Sequence, residues 1–200
     1  GDIIGSVSGP AADVLKGERV ALNFMQRMSG IATRTAEYVS RMQGTKARVL
    51  DTRKTAPGHR VLDKYAVRAG GGTNHRMGLW DMALVKDNHI DREGSLSSAV
   101  AKIRRRCPGV SVEVEARSLQ DVRELLEIGV DRIMLDNFSL QDLREAVDLV
   151  GGRVPLEASG GITLDTARDV ALTGVDYVSV GDITHSVKAL DISLTFERPS

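Results

Sequence analysis

The chain has 200 residues, 27 Lys+Arg against 27 Asp+Glu, 42% hydrophobic and 4% aromatic side chains, and one cysteine. These figures describe one large globular domain, or one and a fraction, and exclude a disordered chain, a collagen-like repeat and a disulfide scaffold. No run of 18 apolar residues occurs and Gly1-Asp2-Ile3-Ile4 has no basic or apolar leader pattern, so neither a membrane span nor a secretory signal is expected and the cytoplasm is the expected compartment.

Taken in chain order, residues 18–43 place Phe24, Met28, Ile31, Thr35, Val39 and Met42 at steps of three and four, which predicts one buried face of a long helix. The methionines read as core, and Gly30 is a candidate bend. From residue 47, short apolar runs alternate with helical patterns: Arg48–Leu50, Ala83–Val85, Val112–Val114, Arg132–Leu135, Val154–Leu156 and Tyr177–Val180. Cys107, beside Pro108 after a basic run, has no partner and reads as a bystander. Ser118-Leu-Gln-Asp121, Ser139-Leu-Gln-Asp142 and Thr163-Leu-Asp165 repeat one phrase, a capping residue opening an amphipathic helix.

Six strands alternating with helices predict an α/β fold with a parallel sheet and right-handed crossovers. A doubly wound nucleotide fold would carry G-x-G-x-x-G after its first strand, where this chain reads Asp51-Thr-Arg-Lys54. A barrel is therefore expected, six-stranded or incomplete, since a full eight-stranded one takes about 250 residues.

The neutral total conceals opposed blocks. Residues 45–86 carry a balance of +6, concentrated in loop-like Asp51–Arg60 and Gly70–Arg76, whereas residues 112–150 carry −6, most of it on helical patterns. The basic loops predict a small anionic ligand; nucleic acid fits poorly because aromatic stacking residues are absent from them.

Barrel active sites form at the carboxyl ends of strands. Here those ends deliver Asp51, Thr52, Arg53 and Lys54; Lys86, Asp87, Asn88 and His89; Glu115; Asp136 and Asn137; Ser159, Gly160 and Gly161; and Gly181 with Asp182. The last two, glycine-rich before helix starts, predict a phosphate cup. Glu115 and Asp136 between the cup and the cations predict either a Mg²⁺ site or acceptors for sugar hydroxyls. His59, His75, His89 and His185 lack the spacing of zinc ligands.

Asp51-Thr-Arg-Lys-Thr-Ala-Pro-Gly58, Lys64-Tyr-Ala-Val67, Gly70-Gly-Gly-Thr-Asn-His-Arg76 and Leu84-Val-Lys-Asp-Asn-His89 closely resemble the quinolinate phosphoribosyltransferase family. The likeness continues through Gly17-Glu-Arg19, Leu22-Asn23, Ser29-Gly-Ile-Ala32, Val112–Glu115, Leu135–Asn137, Glu157–Gly161 and Thr184–Ser186. It implies an α/β barrel joined to an open-faced sandwich domain, in a homodimer or a hexamer built from it. It also implies Mg²⁺ and the conversion of quinolinate and phosphoribosyl pyrophosphate to nicotinate mononucleotide, pyrophosphate and CO₂. Carried over by residue, it implies that Thr52, Arg53, His75, Arg76 and Lys86 bind substrate, with Arg19 reaching in from a partner subunit. Lys54, Glu115 and Asp136 take catalytic roles, the two acids as metal ligands, and Ser159, Gly160, Gly161, Gly181, Asp182 and His185 bind phosphate.

Residues 1–16 are expected to be the remnant of a sandwich domain that begins before Gly1, residues 17–189 the long helix and barrel, and 190–200 a strand returning to the sandwich. Two rival readings are a related pyrophosphorylase-like protein of molybdenum-transport gene clusters and a noncatalytic phosphate-binding barrel.

Overall fold

The computed structural model describes residues 1–196, apart from the side chains of Asp87 and Ile90. A 31-residue helix, α1 (Ala11–Arg41), precedes the first strand, β1 (Arg48–Leu50). There follow α2 (Arg60–Ala69), β2 (Ala83–Val85), α3 (Asp87–Glu93), α4 (Leu96–Arg106), β3 (Val112–Ala116) and α5 (Leu119–Ile128). The chain ends with β4 (Arg132–Asp136), α6 (Leu140–Val150), β5 (Leu156–Ser159), α7 (Ala167–Ala171), β6 (Tyr177–Ser179) and α8 (Asp182–His185). Each predicted strand is found; β5 starts two residues later than its apolar run, beyond Pro155.

All pairings are parallel, in the order β1-β6-β5-β4-β3-β2. This is the order of a barrel opened between its first two strands. A doubly wound sheet would reverse direction midway, and this one does not. The open side of β1 is partly covered by a single residue, Thr73, whose N–H donates to Val49 O at 2.8 Å and whose carbonyl accepts from Asp51 N at 3.2 Å.

Strand alternation decides where everything else goes. Val112, Val114, Ala116, Ile133, Leu135, Leu156, Ala158 and Val178 belong to the main apolar core with Val122, Leu125, Leu143, Ala146 and Val150 of the helices. Their alternates, Glu113, Glu115, Arg132, Met134, Glu157 and Ser159, occupy the opposite face, where the strand ends converge. Apolar burial against the helix layer thus frees the inner face for charged groups.

Ser118 and Ser139 cap α5 and α6 as predicted, accepting from the N–H groups of Asp121 and Asp142, both at 3.1 Å. Thr163 opens a turn instead, and α7 starts four residues later. α1 is held to α2 by a paired contact from Arg27 to the buried Asp63, at 2.9 and 2.8 Å. The helix runs unbroken through Gly30, where a side chain would meet Lys188 O at 2.2 Å, so close packing of the C-terminal segment requires the glycine.

Residues 1–10 carry no strand and α1 begins at Ala11, within the stretch read as sandwich remnant. Residues 190–196 form no strand pairing; they follow α1, with Leu190 N–H donating to Gln26 O and Gln26 Nε2 to Ile192 O. The remainder of that expected strand, 197–200, lies outside the described residues.

Candidate active site

The strand ends enclose a cavity of about 630 Å³. Thr52, Arg53, Lys54, His75, Arg76, Lys86, Asp136, Ser159, Gly160, Gly161, Gly181, Asp182 and His185 all line it, so thirteen predicted residues meet in one place. Glu115 stands just behind the wall, buried, with Oε2 3.2 Å from Lys86 Nζ. Arg19 does not join them; it is exposed on α1, nine residues into the helix.

The cationic wall comes from two neighbouring loops. Arg53 and Lys54 follow β1, while His75 and Arg76 follow Thr73 on its open side. Among the described residues, Arg53, Lys54 and Arg76 form no ion pair with a carboxylate. Burial and the adjacent Arg53 guanidinium hold Arg76 below its ordinary pKa, as expected where cations crowd without a counter-ion. Such a wall is matched to an anion with planar carboxylates, which arginine forks can grip in pairs.

His75 lines the cavity, but both its ring nitrogens are turned to protein. Nδ1 accepts from Arg76 N–H at 2.6 Å, and Nε2 lies 3.0 Å from Glu113 Oε2 and 3.3 Å from Glu157 Oε2. Burial opposes its charge, yet the two carboxylates push its pKa up to about 9. Arg132, over the face of Tyr177 at 4.4 Å, stands 3.2 Å from Glu157. Burial lifts the Glu113 pKa; at Glu157 burial acts the same way, but His75, Glu113 and Ser179 together outweigh it and lower the pKa.

At the other end, Gly160 has φ 100° and Asn137 is the sole non-glycine at positive φ among the described residues. Asn137 N–H donates to Ser159 O at 2.9 Å, locking the two strand ends together. The carboxylate of Asp182 is committed to α1: its Oδ2 accepts from Tyr38 Oη at 3.0 Å and from Arg34 Nη2 at 2.9 Å. It therefore anchors the loop, and contact with an anion would fall to the backbone and to neighbouring groups.

Sequence reasoning passed over Glu113, Glu157, Arg132, Met134 and Leu84. The signal was available, because Val112-Glu-Val-Glu115 puts Glu113 on the face of Glu115, two residues deeper. The same step relates Glu157 to Ser159 and Met134 to Asp136.

Two groups bear on metal binding. Glu115 and Asp136 sit on adjacent strands and one face, and theirs are the hard carboxylate oxygens near the cavity that could hold Mg²⁺. The buried trio His75, Glu113 and Glu157 has donor atoms within 4.8 Å of one another. With Nδ1 facing the Arg76 N–H, however, Nε2 carries a proton toward the acids, and Arg132 offsets one of their two charges. The trio is an internal ion network.

Among the described residues, no helix is long and apolar enough to cross a membrane.

The family model described as "Quinolinate phosphoribosyl transferase, C-terminal domain" matches residues 31–195, and that for the N-terminal domain matches residues 1–29. The chain is 48% identical to the probable nicotinate-nucleotide pyrophosphorylase [carboxylating] of Bacillus subtilis, over 97% of this chain and 68% of that protein. It is 47% identical to the mitochondrial quinolinate phosphoribosyltransferase [decarboxylating] 2 of Nicotiana glauca, over 96% of this chain and 60% of that one. The crystal structure of NadC from Streptococcus pyogenes superposes with a TM-score of 0.91 at 46% identity, covering 94% of this chain and 66% of that one. The chain thus spans roughly two thirds of the length of these relatives. With nearly every residue matched and the fold shared, the chain belongs to the quinolinate phosphoribosyl transferase family.

Proposed function

We propose that the chain transfers the phosphoribosyl group of phosphoribosyl pyrophosphate to quinolinate, releasing pyrophosphate and CO₂ and forming nicotinate mononucleotide for NAD synthesis. The observation that carries this reading is the unpaired Arg53, Lys54 and Arg76 wall facing the glycine loops at 159–161 and 181–182 across one cavity. Quinolinate has two adjacent carboxylates, and the wall supplies matching forks. The phosphoribosyl end would lie against Ser159, Gly160, Gly161 and Gly181, with His185 nearby.

The pyridine nitrogen attacks the anomeric carbon directly, so no protein nucleophile or general base is needed. Arg53, Arg76 and Lys86 hold the ring in line, while Lys54 stands where the donor's phosphates would pass. Catalysis is then positioning and electrostatics in a pocket arranged before substrate arrives. Glu115 and Asp136 would hold Mg²⁺, which when bound neutralises the leaving pyrophosphate. Once the ring nitrogen is alkylated and cationic, the electron pair released with CO₂ collapses onto the adjacent ring carbon, and a proton from solvent restores the C–H bond.

His75 supports this wall from behind. Arg19, exposed and away from its own cavity, is proposed to complete the site of a second copy in a two-fold homodimer. Exposed Val20, Met25, Val61, Tyr65 and Trp80 on α1, α2 and the 77–81 loop offer apolar area for such an interface. The cytoplasm is the proposed compartment, in keeping with a single, free, exposed cysteine.

Calorimetric titration tests the reading. Quinolinate should bind the chain, and Arg76→Ala should weaken that binding by roughly 10- to 150-fold; binding of inorganic phosphate alone would favour the noncatalytic barrel.

A further inference from the structure

Asp51 and Lys64 are buried charges that the proposed reaction does not use. Alternation puts Asp51 on the same side of β1 as Val49, toward the helix layer and away from the cavity. There it meets Lys64 of α2; the two are 0% and 1% exposed. Lys64 Nζ donates to Asp51 Oδ1 and, at 2.8 Å, to the carbonyl of His75. Asp51 Oδ1 also accepts from His75 N–H at 2.8 Å, and Oδ2 accepts from Asn74 Nδ2 at 2.5 Å. Asn74 Nδ2 in turn reaches Lys64 O at 2.8 Å.

Both backbone groups of His75 are therefore held by one buried ion pair. This occurs at the seam where β1 and β2 are not paired, so no sheet ladder beyond the single bridge at Thr73 fixes the segment. Arg76 follows directly, and Thr52, Arg53 and Lys54 follow Asp51 itself.

We infer that Asp51 and Lys64 are positioning residues that set the two cationic loops of the cavity against each other, standing in for the missing β1–β2 hydrogen bonds and thereby fixing the pocket for the pyridine dicarboxylate. Burying two charges is a costly way to gain stability alone, since apolar side chains of similar volume often serve as well. What an apolar pair cannot supply is a donor and an acceptor at fixed points for the His75 peptide groups. Burial raises the pKa of Asp51 and lowers that of Lys64, which marks the desolvation these charges bear in place.

The inference rests on the proposed quinolinate site, and its test separates the two. In the full chain, Asp51→Asn with Lys64→Met removes both charges without leaving one unpaired. Asn74→Ala is a milder change that removes one bond to Asp51 and leaves both charges in place, should the double variant not fold. Hydrogen exchange followed on peptides spanning residues 73–76 reads the geometry without any substrate. Exchange there should quicken by roughly tenfold or more while that of β3 and β4 is unchanged.

In steady-state kinetics, the quinolinate KM should rise by roughly tenfold to a hundredfold, with the KM of the ribosyl donor within about twofold of the parent. Unaltered exchange at 73–76 would overturn the inference whatever the substrate proves to be. Equal rises in both constants would overturn it too, by showing general loosening. A parent chain that ignores quinolinate, with local exchange quickened in the variant, would overturn the proposed substrate and leave the positioning role standing.

Discussion

A methyl group built on Gly160 would stand 2.1 Å from Oδ1 of Asn137 and 3.0 Å from its backbone nitrogen. The ends of β4 and β5 can approach this closely only because Gly160 has no side chain and adopts φ 100°. Asn137, itself at φ 56°, carries half of the constraint.

Gly160→Ala should therefore push Asn137 aside and misplace the loop proposed to hold phosphate. The expected outcome is a folded chain, destabilised by about 1 to 3 kcal/mol, with the donor KM raised and quinolinate binding retained. Thermal unfolding and separate titrations of the two substrates check it. A donor KM equal to that of the parent would contradict the assignment of this loop.

Arg76→Ala tests the opposite end. Loss of a charge-assisted contact costs about 1.5 to 3 kcal/mol, which is roughly a 10- to 150-fold rise in the quinolinate KM. The donor constant should barely move. Equal effects on both constants would remove Arg76 from the carboxylate site.

The raised pKa of His75 makes a stability prediction with a definite sign. Its folded value, about 9, lies above the ordinary 6.5, so the imidazolium is favoured by folding. That contribution is fully present below about pH 6.5 and is lost as pH rises toward 9. Its upper bound is on the order of 3 kcal/mol, reduced by the Arg76 N–H aimed at Nδ1. Melting temperature should fall between pH 6.5 and 9 by several degrees more in the parent than in His75→Gln. Identical slopes would show that Glu113 and Glu157 do not hold the ring charged.

Arg19 gives an assembly prediction. It is exposed and remote from its own cavity, so a role in the site requires a second copy. Arg19→Ala and Lys54→Ala homodimers should each be nearly inactive. After subunit exchange, equal amounts should recover about a quarter of parental sites, because each mixed dimer holds one intact site. Verified exchange without recovery would exclude the shared site.

Much of this organisation was legible before the fold was known. Six strands could be read because their outward residues are valine, leucine, isoleucine and alanine in short runs, and their ends because Lys, Asp, Glu and Gly cluster there. Glu113 and Glu157 were harder, since a charge inside a strand has no signature until the sheet curls and gives it an inner face. Lys64 illustrates the same limit: on a helix, lysine reads as solvated, and only the buried Asp51 opposite explains it. Asp182 was placed in the right cavity, but its bonds to Arg34 and Tyr38 link residues 144 and 148 positions apart, which no local pattern reveals.

The central claim is the coupling of ribosyl transfer to carboxylate loss in this cavity. The most direct measurement supplies the full chain with quinolinate labelled at the 2-carboxylate, phosphoribosyl pyrophosphate and Mg²⁺, and counts labelled CO₂ against pyrophosphate. One CO₂ per pyrophosphate is predicted, with both slowed in step in Arg76→Ala at quinolinate concentrations below its raised KM. Pyrophosphate release without CO₂, or neither product from a folded and correctly assembled chain, would contradict the account.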